Sequence, residues 1–165
     1  MIRVGLGFDS HEFEQGKELY IGGVRLEYPK GLKGHSDGDV LLHALTDAIL
    51  GAIGEQDIGQ LFSDKDPRWK GAPSEVFLRT ALSMAKQKGY RLVNLDCVII
   101  ADEPKVAPYK ELIVKNLSSL TGLEANFISI KGKRKEGFCK EEGIACFCVV
   151  LIENEKPAEK GSGKA

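Results

Sequence analysis

The sequence predicts an α/β chain of the α+β kind, with helices packed on one face of a mixed β-sheet. Two patterns carry that prediction. Runs rich in β-branched and aromatic residues fall at 2–13, 18–26, 92–100, 127–131 and 143–152. Between them, apolar residues return at helical spacing over 39–53, 74–89 and 109–122. Strands alternating with helices and closing on two strands suit helices layered on a sheet. With 165 residues, 42% hydrophobic and 28% charged, the chain is long enough to bury one core and too apolar to be disordered.

In chain order, 2–13 and 18–26 read as two strands, punctuated by glycine, that pair with each other. From 39 to 53, Val40, Leu41, Ala44, Leu45, Ala48, Ile49, Ala52 and Ile53 mark a helix, with Asp39 placed to cap its start. The polar stretch 57–67 carries too many turn residues to continue that helix and is expected to be a loop. A second helix is expected from Ser74, a capping residue after Pro73, to a stop at Gly89. A strand follows at 92–100. Leu112, Ile113, Leu117 and Leu120 then share one helical stripe that Gly122 terminates. Residues 127–131 and 143–152 read as the last strands. We expect one domain over 1–154, and a disordered tail over 155–165, which has no large apolar residue to anchor it.

A net charge of −1 gives no overall field to draw nucleic acid or an anionic membrane. No apolar run reaches the roughly 18 residues a transmembrane helix needs, and the start Met1-Ile2-Arg3-Val4 lacks the features of a signal peptide. A cytoplasmic protein is expected, binding neither nucleic acid nor membrane. Cys97, Cys139, Cys146 and Cys148 lack paired metal-site spacing and are expected to be buried thiols.

All 3 histidines stand among polar residues, in Asp9-Ser10-His11, in Gly34-His35-Ser36-Asp37-Gly38-Asp39 and at His43. On a strand Asp9 and His11 share a face, because side chains alternate. On the helix His43 lies one turn from both Asp39 and Asp47, on a polar stripe opposite the leucines, and can lean towards the strand. Two imidazoles and a carboxylate suit zinc or a similar divalent transition metal, with an open position left for substrate. Taken alone, the same residues also fit an exposed strand pair and a surface histidine.

The surrounding residues extend the pattern. The segments Arg3-Val4-Gly5-Leu6-Gly7-Phe8-Asp9-Ser10-His11, Ile21-Gly22-Gly23-Val24, the run from Gly34 to Ala44, Asp57-Ile58-Gly59 and Asp64-Lys65-Asp66-Pro67 resemble the 2-C-methyl-D-erythritol 2,4-cyclodiphosphate synthase family. The likeness continues through Ala101 to Pro108 and Glu142-Gly143-Ile144-Ala145. It implies a homotrimer with active sites between subunits. The implied reaction closes a cyclic diphosphate from a cytidine-diphosphate substrate and releases CMP, in the non-mevalonate route to isoprenoids. It also implies a transition metal, zinc in the first place, on Asp9, His11 and His43, and a second ion, magnesium or manganese, with the substrate diphosphate near Glu136.

By the same resemblance His35, Arg134 and Glu136 are catalytic, and Asp9, Ser10 and His11 touch substrate. His35 and Ser36 hold the attacking phosphate; as a bare residue, His35 also fits a cap of the turn before the helix. Asp57, Ile58 and Gly59, with Phe62, Ser63, Asp64, Lys65 and Asp66, close over the methylerythritol. Ala101, Asp102, Glu103, Pro104, Lys105, Val106 and Ala107 form the cytidine pocket. Lys133, Arg134, Lys135 and Glu136 complete the substrate contacts, with Phe138 and Lys140 at a central channel that takes an isoprenoid diphosphate. The chain departs from the family here: Lys133 and Arg134 replace threonines, and 137–142 is shorter than the family's glycine-rich stretch. Two other readings stay open on residues alone: an idle metal- and nucleotide-binding module, and a metal-dependent phosphohydrolase.

Overall fold

A computed structural model describes residues 1–155. Strand β1 (Ile2–Gln15) lies second in a five-stranded sheet of order β4-β1-β7-β5-β6, with β4 spanning Lys30–Leu32, β5 Tyr90–Ile100, β6 Ile128–Lys133 and the central β7 Gly143–Asn154. β5 and β6 run parallel and the other pairs antiparallel, so the sheet is mixed. The expectation that 2–13 pairs with 18–26 is overturned. β1 pairs with β7 along its length and with β4 at its end, while β2 (Leu19–Ile21) and β3 (Val24–Leu26) form a separate hairpin. Gly22 and Gly23, both at positive φ (62° and 76°), allow the tight turn between them.

Helices α1 (Val40–Ala52), α3 (Ser74–Gln87) and α4 (Lys110–Thr121) form where the periodicity places them, and Gly122 ends α4 in the left-handed region. α1 packs on β1 and β7 beneath α3, which explains why it is apolar nearly all round. Its approach to β1 is unusually close. A Cβ built on Gly5 would overlap the Ala48 carbonyl oxygen, and one on Gly7 the Ala44 carbonyl oxygen. These glycines let helix and strand meet backbone to backbone.

Three further corrections concern local structure. The 57–67 segment contains a short helix, α2 (Ile58–Leu61), closed by a capping box in which the Asp57 side chain accepts from Gln60 N–H (2.8 Å) and Asp57 N–H donates to Gln60 Oε1 (3.3 Å). Ser74 is the first helical residue of α3 rather than its cap. Cys139 is exposed, unlike the buried Cys97, Cys146 and Cys148, because it leaves the sheet in the connection before β7. The expected tail lies outside the described residues beyond Glu155, whose N–H donates to Gly89 O (2.8 Å).

The face of the sheet away from the helices is apolar and open. Val4 and Leu6 are each 64% exposed, and Ile2, Phe8, Phe147 and Val149 join them. Phe8 and Phe147 stack with ring centroids 4.7 Å apart. Among the described residues no helix is long and apolar enough to cross a membrane.

Candidate metal and substrate site

Alternation along β1 turns Gly5, Gly7, Asp9 and His11 towards α1. Because the two glycines let α1 sit down on the strand, His43, one turn into the helix, arrives directly over Asp9 and His11. Asp9 Oδ2 lies 2.7 Å from His11 Nε2 and 3.0 Å from His43 Nδ1, and the two imidazole nitrogens are 3.3 Å apart. The side chains of Asp9, His11 and His43 are 24%, 19% and 12% exposed, so the cluster is sheltered yet reachable. Burial raises the Asp9 carboxyl, but hydrogen bonds to His11 and His43, with their charge, outweigh it and hold the group below its ordinary 3.8. Burial likewise lowers His43, and the Asp9 hydrogen bond and charge more than reverse this, lifting the imidazole above 6.5. These three residues are a group that could hold a divalent ion. Two nitrogens and one oxygen converging within hydrogen-bond distance are the donor set such an ion takes.

The position of α1 is locked at its start. Asp39 caps the helix by accepting from Leu42 N–H (3.0 Å), and its carboxylate also accepts from Gly22 N–H (2.9 Å) and Gly23 N–H (2.7 Å) of the β2–β3 turn. Its side chain therefore faces that turn, not a polar stripe beside His43. Burial, with the charge of Asp37, pushes the Asp39 carboxyl up to about 6 against those three bonds. Further along α1, Asp47 Oδ1 accepts from Ile58 N–H (2.7 Å) and ties α2 to the site.

Around the cluster opens a cleft of about 320 Å³ lined also by His35, Ser36, Ile58, Gly59, Phe62 and Asp64. His35 Nε2 lies 3.4 Å from the Asp66 carbonyl oxygen. Asp57, Ser63, Lys65 and Asp66 do not line the cleft; Asp57 caps α2 and Asp66 pairs with Arg68. Gly34, Trp69 and Phe77 line it without having been singled out. Phe77 bridges His43 and Phe62, with centroid separations of 6.0 and 4.6 Å. The only tryptophan of the chain, close after a polar segment, was a signal available for Trp69; Phe77 looked like any core residue of its helix.

A second cleft, about 230 Å³, joins Ala101, Asp102, Lys105, Val106 and Ala107 to Gly132, Lys133 and Arg134. It brings together two segments that the resemblance assigns to one substrate, and it shares no residue with the first cleft. Glu103 and the buried Pro104 do not line it. Lys135 N–H donates to Asp102 Oδ1 (2.9 Å), fastening the basic run to the 101–107 segment. Glu136 is exposed, with φ 52° in the left-handed region, and lines neither cleft. Ser10 points to the opposite face of β1 from Asp9 and His11. There a third cleft, about 410 Å³ and largely apolar, also takes Phe8, Lys135, Phe138 and Phe147; Lys140 does not line it.

The model of the YgbB family matches residues 2–153. The chain belongs to the YgbB family. Among curated YgbB relatives, the 2-C-methyl-D-erythritol 2,4-cyclodiphosphate synthase of Aquifex aeolicus (strain VF5) is 60% identical over 151 residues, covering 92% of this chain and 97% of its own. A solved 2C-methyl-D-erythritol-2,4-cyclodiphosphate synthase in its CDP-bound form is 42% identical, with a TM-score of 0.86 over 92% of this chain and all of that one. The Plasmodium falciparum IspF–CDP complex is 34% identical, with a TM-score of 0.81 over 94% of this chain and 97% of its own.

Proposed function

We infer that this single-domain chain converts 4-diphosphocytidyl-2-C-methyl-D-erythritol 2-phosphate to 2-C-methyl-D-erythritol 2,4-cyclodiphosphate and CMP. An oxygen of the 2-phosphate attacks the β-phosphorus, and the bond from that phosphorus to the oxygen bridging to the α-phosphate breaks, so that CMP leaves with the electron pair. An anion must approach an anion, which makes charge neutralisation and alignment the main tasks. The carrying observation is the convergence of Asp9, His11 and His43 in a cleft that also presents His35. A divalent ion held there, zinc by its donor set, would supply Lewis acidity to the β-phosphate. His35, beside Ser36, donates to the attacking phosphate, and α2 with Phe62 and Asp64 excludes water from the methylerythritol. The 101–107 segment holds the cytidine, and Lys133 and Arg134 hold its diphosphate. A second ion, magnesium or manganese, would take oxygen ligands near the exposed carboxylate of Glu136 and neutralise the diphosphate.

We propose further that the active protein is a homotrimer in the cytoplasm. One substrate needs both clefts, yet they share no residue, which supports sites completed by a neighbouring chain. The open apolar face of β1 and β7 is the surface such an assembly would bury. Phe138 and Lys135, at its edge, support an isoprenoid diphosphate there with its anion on Lys135. Incubating the protein with the substrate and divalent ions, and following phosphorus NMR, tests the chemistry. Cyclic diphosphate with equimolar CMP is expected. Inorganic phosphate or a linear product would mean a hydrolase, and an unchanged substrate a binding module. Sedimentation tests the assembly: a fully active monomer would reject shared sites.

A further inference from the structure

His43 presents Nδ1 to Asp9 and His11, so its other nitrogen, Nε2, faces into the protein. There it lies 2.7 Å from Ser74 Oγ and 3.0 Å from Ser36 Oγ. Ser74 is fully buried at the first turn of α3. Its backbone N–H donates to Asp37 Oδ2 (3.0 Å) and its hydroxyl donates to Asp37 Oδ1. Asp37 Oδ1 also accepts from Asp39 N–H (3.0 Å), which fixes the carboxylate relative to the start of α1.

Counting protons along this chain leaves one arrangement. An ionised carboxylate only accepts, so the single hydroxyl hydrogen of Ser74 points at Asp37. Ser74 then offers His43 a lone pair, and a bare Nε2 at 2.7 Å would set lone pair against lone pair. Nε2 must carry the ring proton and donate it. Without an ion, Nδ1–H donates to Asp9 Oδ2 at 3.0 Å; the proton a divalent ion displaces is this one, which leaves Nδ1 bare while Nε2 keeps its own, the form the ion requires. Ser36 Oγ, 3.4 Å from Ser74 Oγ, can donate to Ser74 or accept from His43 without altering this order.

We propose that Asp37 and Ser74 are positioning residues that fix His43 as the Nε2–H tautomer and so set the affinity of the Asp9–His11–His43 site for its ion. The proposal rests on the reading of those three residues as metal ligands. It also gives α3 a role in the site that its sequence, with Ser74 as a mere cap, did not suggest.

The test uses the full chain with zinc and cobalt(II) as probes. Competition with a chromophoric chelator gives affinity, and long-range proton–nitrogen NMR of ¹⁵N-histidine protein gives the tautomer. In the zinc-loaded parent, His43 is expected to keep its proton on Nε2. Ser74→Ala should weaken zinc about 10- to 100-fold, the range for lost outer partners of ligating histidines, with unchanged circular dichroism. Ser74→Thr, which keeps the hydroxyl, should recover most of that loss, and Asp37→Asn should fall between. Zinc-loaded parent protein with the proton on Nδ1 would overturn the proposal whether or not any variant folds. Full affinity in Ser74→Ala would also overturn it, provided His43→Ala loses the ion. If His43→Ala also keeps full affinity, the ligand assignment itself falls, and the relay with it.

Discussion

Asp9, His11 and His43 stand on a 14-residue strand and a 13-residue helix whose backbones touch, whereas the run from Lys133 to Lys140 leaves the end of a 6-residue strand with every residue but Lys135 exposed. The first region is held by bonds that leave its side chains little choice: Asp39 fastens α1 to the β2–β3 turn, and Ser74 fastens His43 to Asp37. In the second, Lys135 reaches the Glu141 carbonyl and its own N–H reaches Asp102, while the flanking cations face solvent. The difference follows from what each must do. An ion is bound through directional bonds at short range, so its ligands need rigid supports before it arrives. Phosphate charge is felt over several ångströms, so lysines and arginines can serve from an open surface.

The strongest way to break this contrast is to remove a ligand. His43→Ala should lose the bound divalent ion and cut turnover about a thousandfold or more, since metal stabilisation of a phosphoryl transition state is worth several kcal/mol. Metal analysis beside the activity assay checks it, and an active, fully loaded variant would remove the basis for the rigid region's role.

The next test compares a glycine of the first region with Gly132, which directly precedes the second. Gly7→Ala places a methyl against the Ala44 carbonyl and must lift α1 off β1; a loss of about 1–3 kcal/mol in stability is expected from the overpacking, together with weaker cobalt binding. Gly132→Ala meets only the Val106 Cβ, at 3.6 Å, and should stay within about 0.5 kcal/mol of the parent. Denaturant unfolding of both variants measures the difference, and equal losses would erase the contrast in packing.

Acidity sharpens it further. In the metal-free protein Asp9, held below 3.8, contributes stability above that value and loses it as pH falls through its folded-state value. His43, held above 6.5, contributes fully below that value and loses it as pH rises through its folded-state value. The pair therefore steadies the metal-free fold mainly between 3.8 and 6.5. A divalent ion must displace the His43 proton, so the rise in Tm on adding zinc should be larger near pH ~8 than near pH ~6. Thermal scans with and without zinc read this, and equal shifts would mean that no proton is displaced.

The smallest expected effect falls in the exposed run. Lys133 and Arg134 should favour ground state and transition state alike, which lowers KM more than it raises kcat. Arg134→Thr should raise KM several-fold, flatten its rise with salt and leave kcat within about twofold. Steady-state kinetics across ionic strength decide, and an unaltered salt slope would return this residue to a solvated turn.

Much of this was legible in the residues. The three long helices followed from apolar period, and Asp9, His11 and His43 from the alternation of a strand and one turn of a helix. What stayed hidden depended on partners distant in sequence. Ser74 reads as a helix cap until Asp37 and His43 are beside it, and Gly5 and Gly7 read as breaks in a strand until α1 lies on them. The pairing of β1 with β7 joins residues such as Asp9 and Cys146 that no local pattern connects. α2 is short, and its Asp57–Gln60 capping box looked like turn chemistry because the same residue types serve both.

The glycine face of β1 also bears on how the chain avoids folding wrongly. Opposite faces of this strand carry side chains of opposite size: Gly5 and Gly7 must leave room for α1, while Val4, Leu6 and Phe8 stand on the open side. A slip of one residue against β7 would drive those large side chains into the backbone of α1 and turn Asp9 and His11 away from His43. Near misses in register are thus penalised by collision as well as by lost pairing, and a chain that has reached the correct register has assembled its ligand set in the same step.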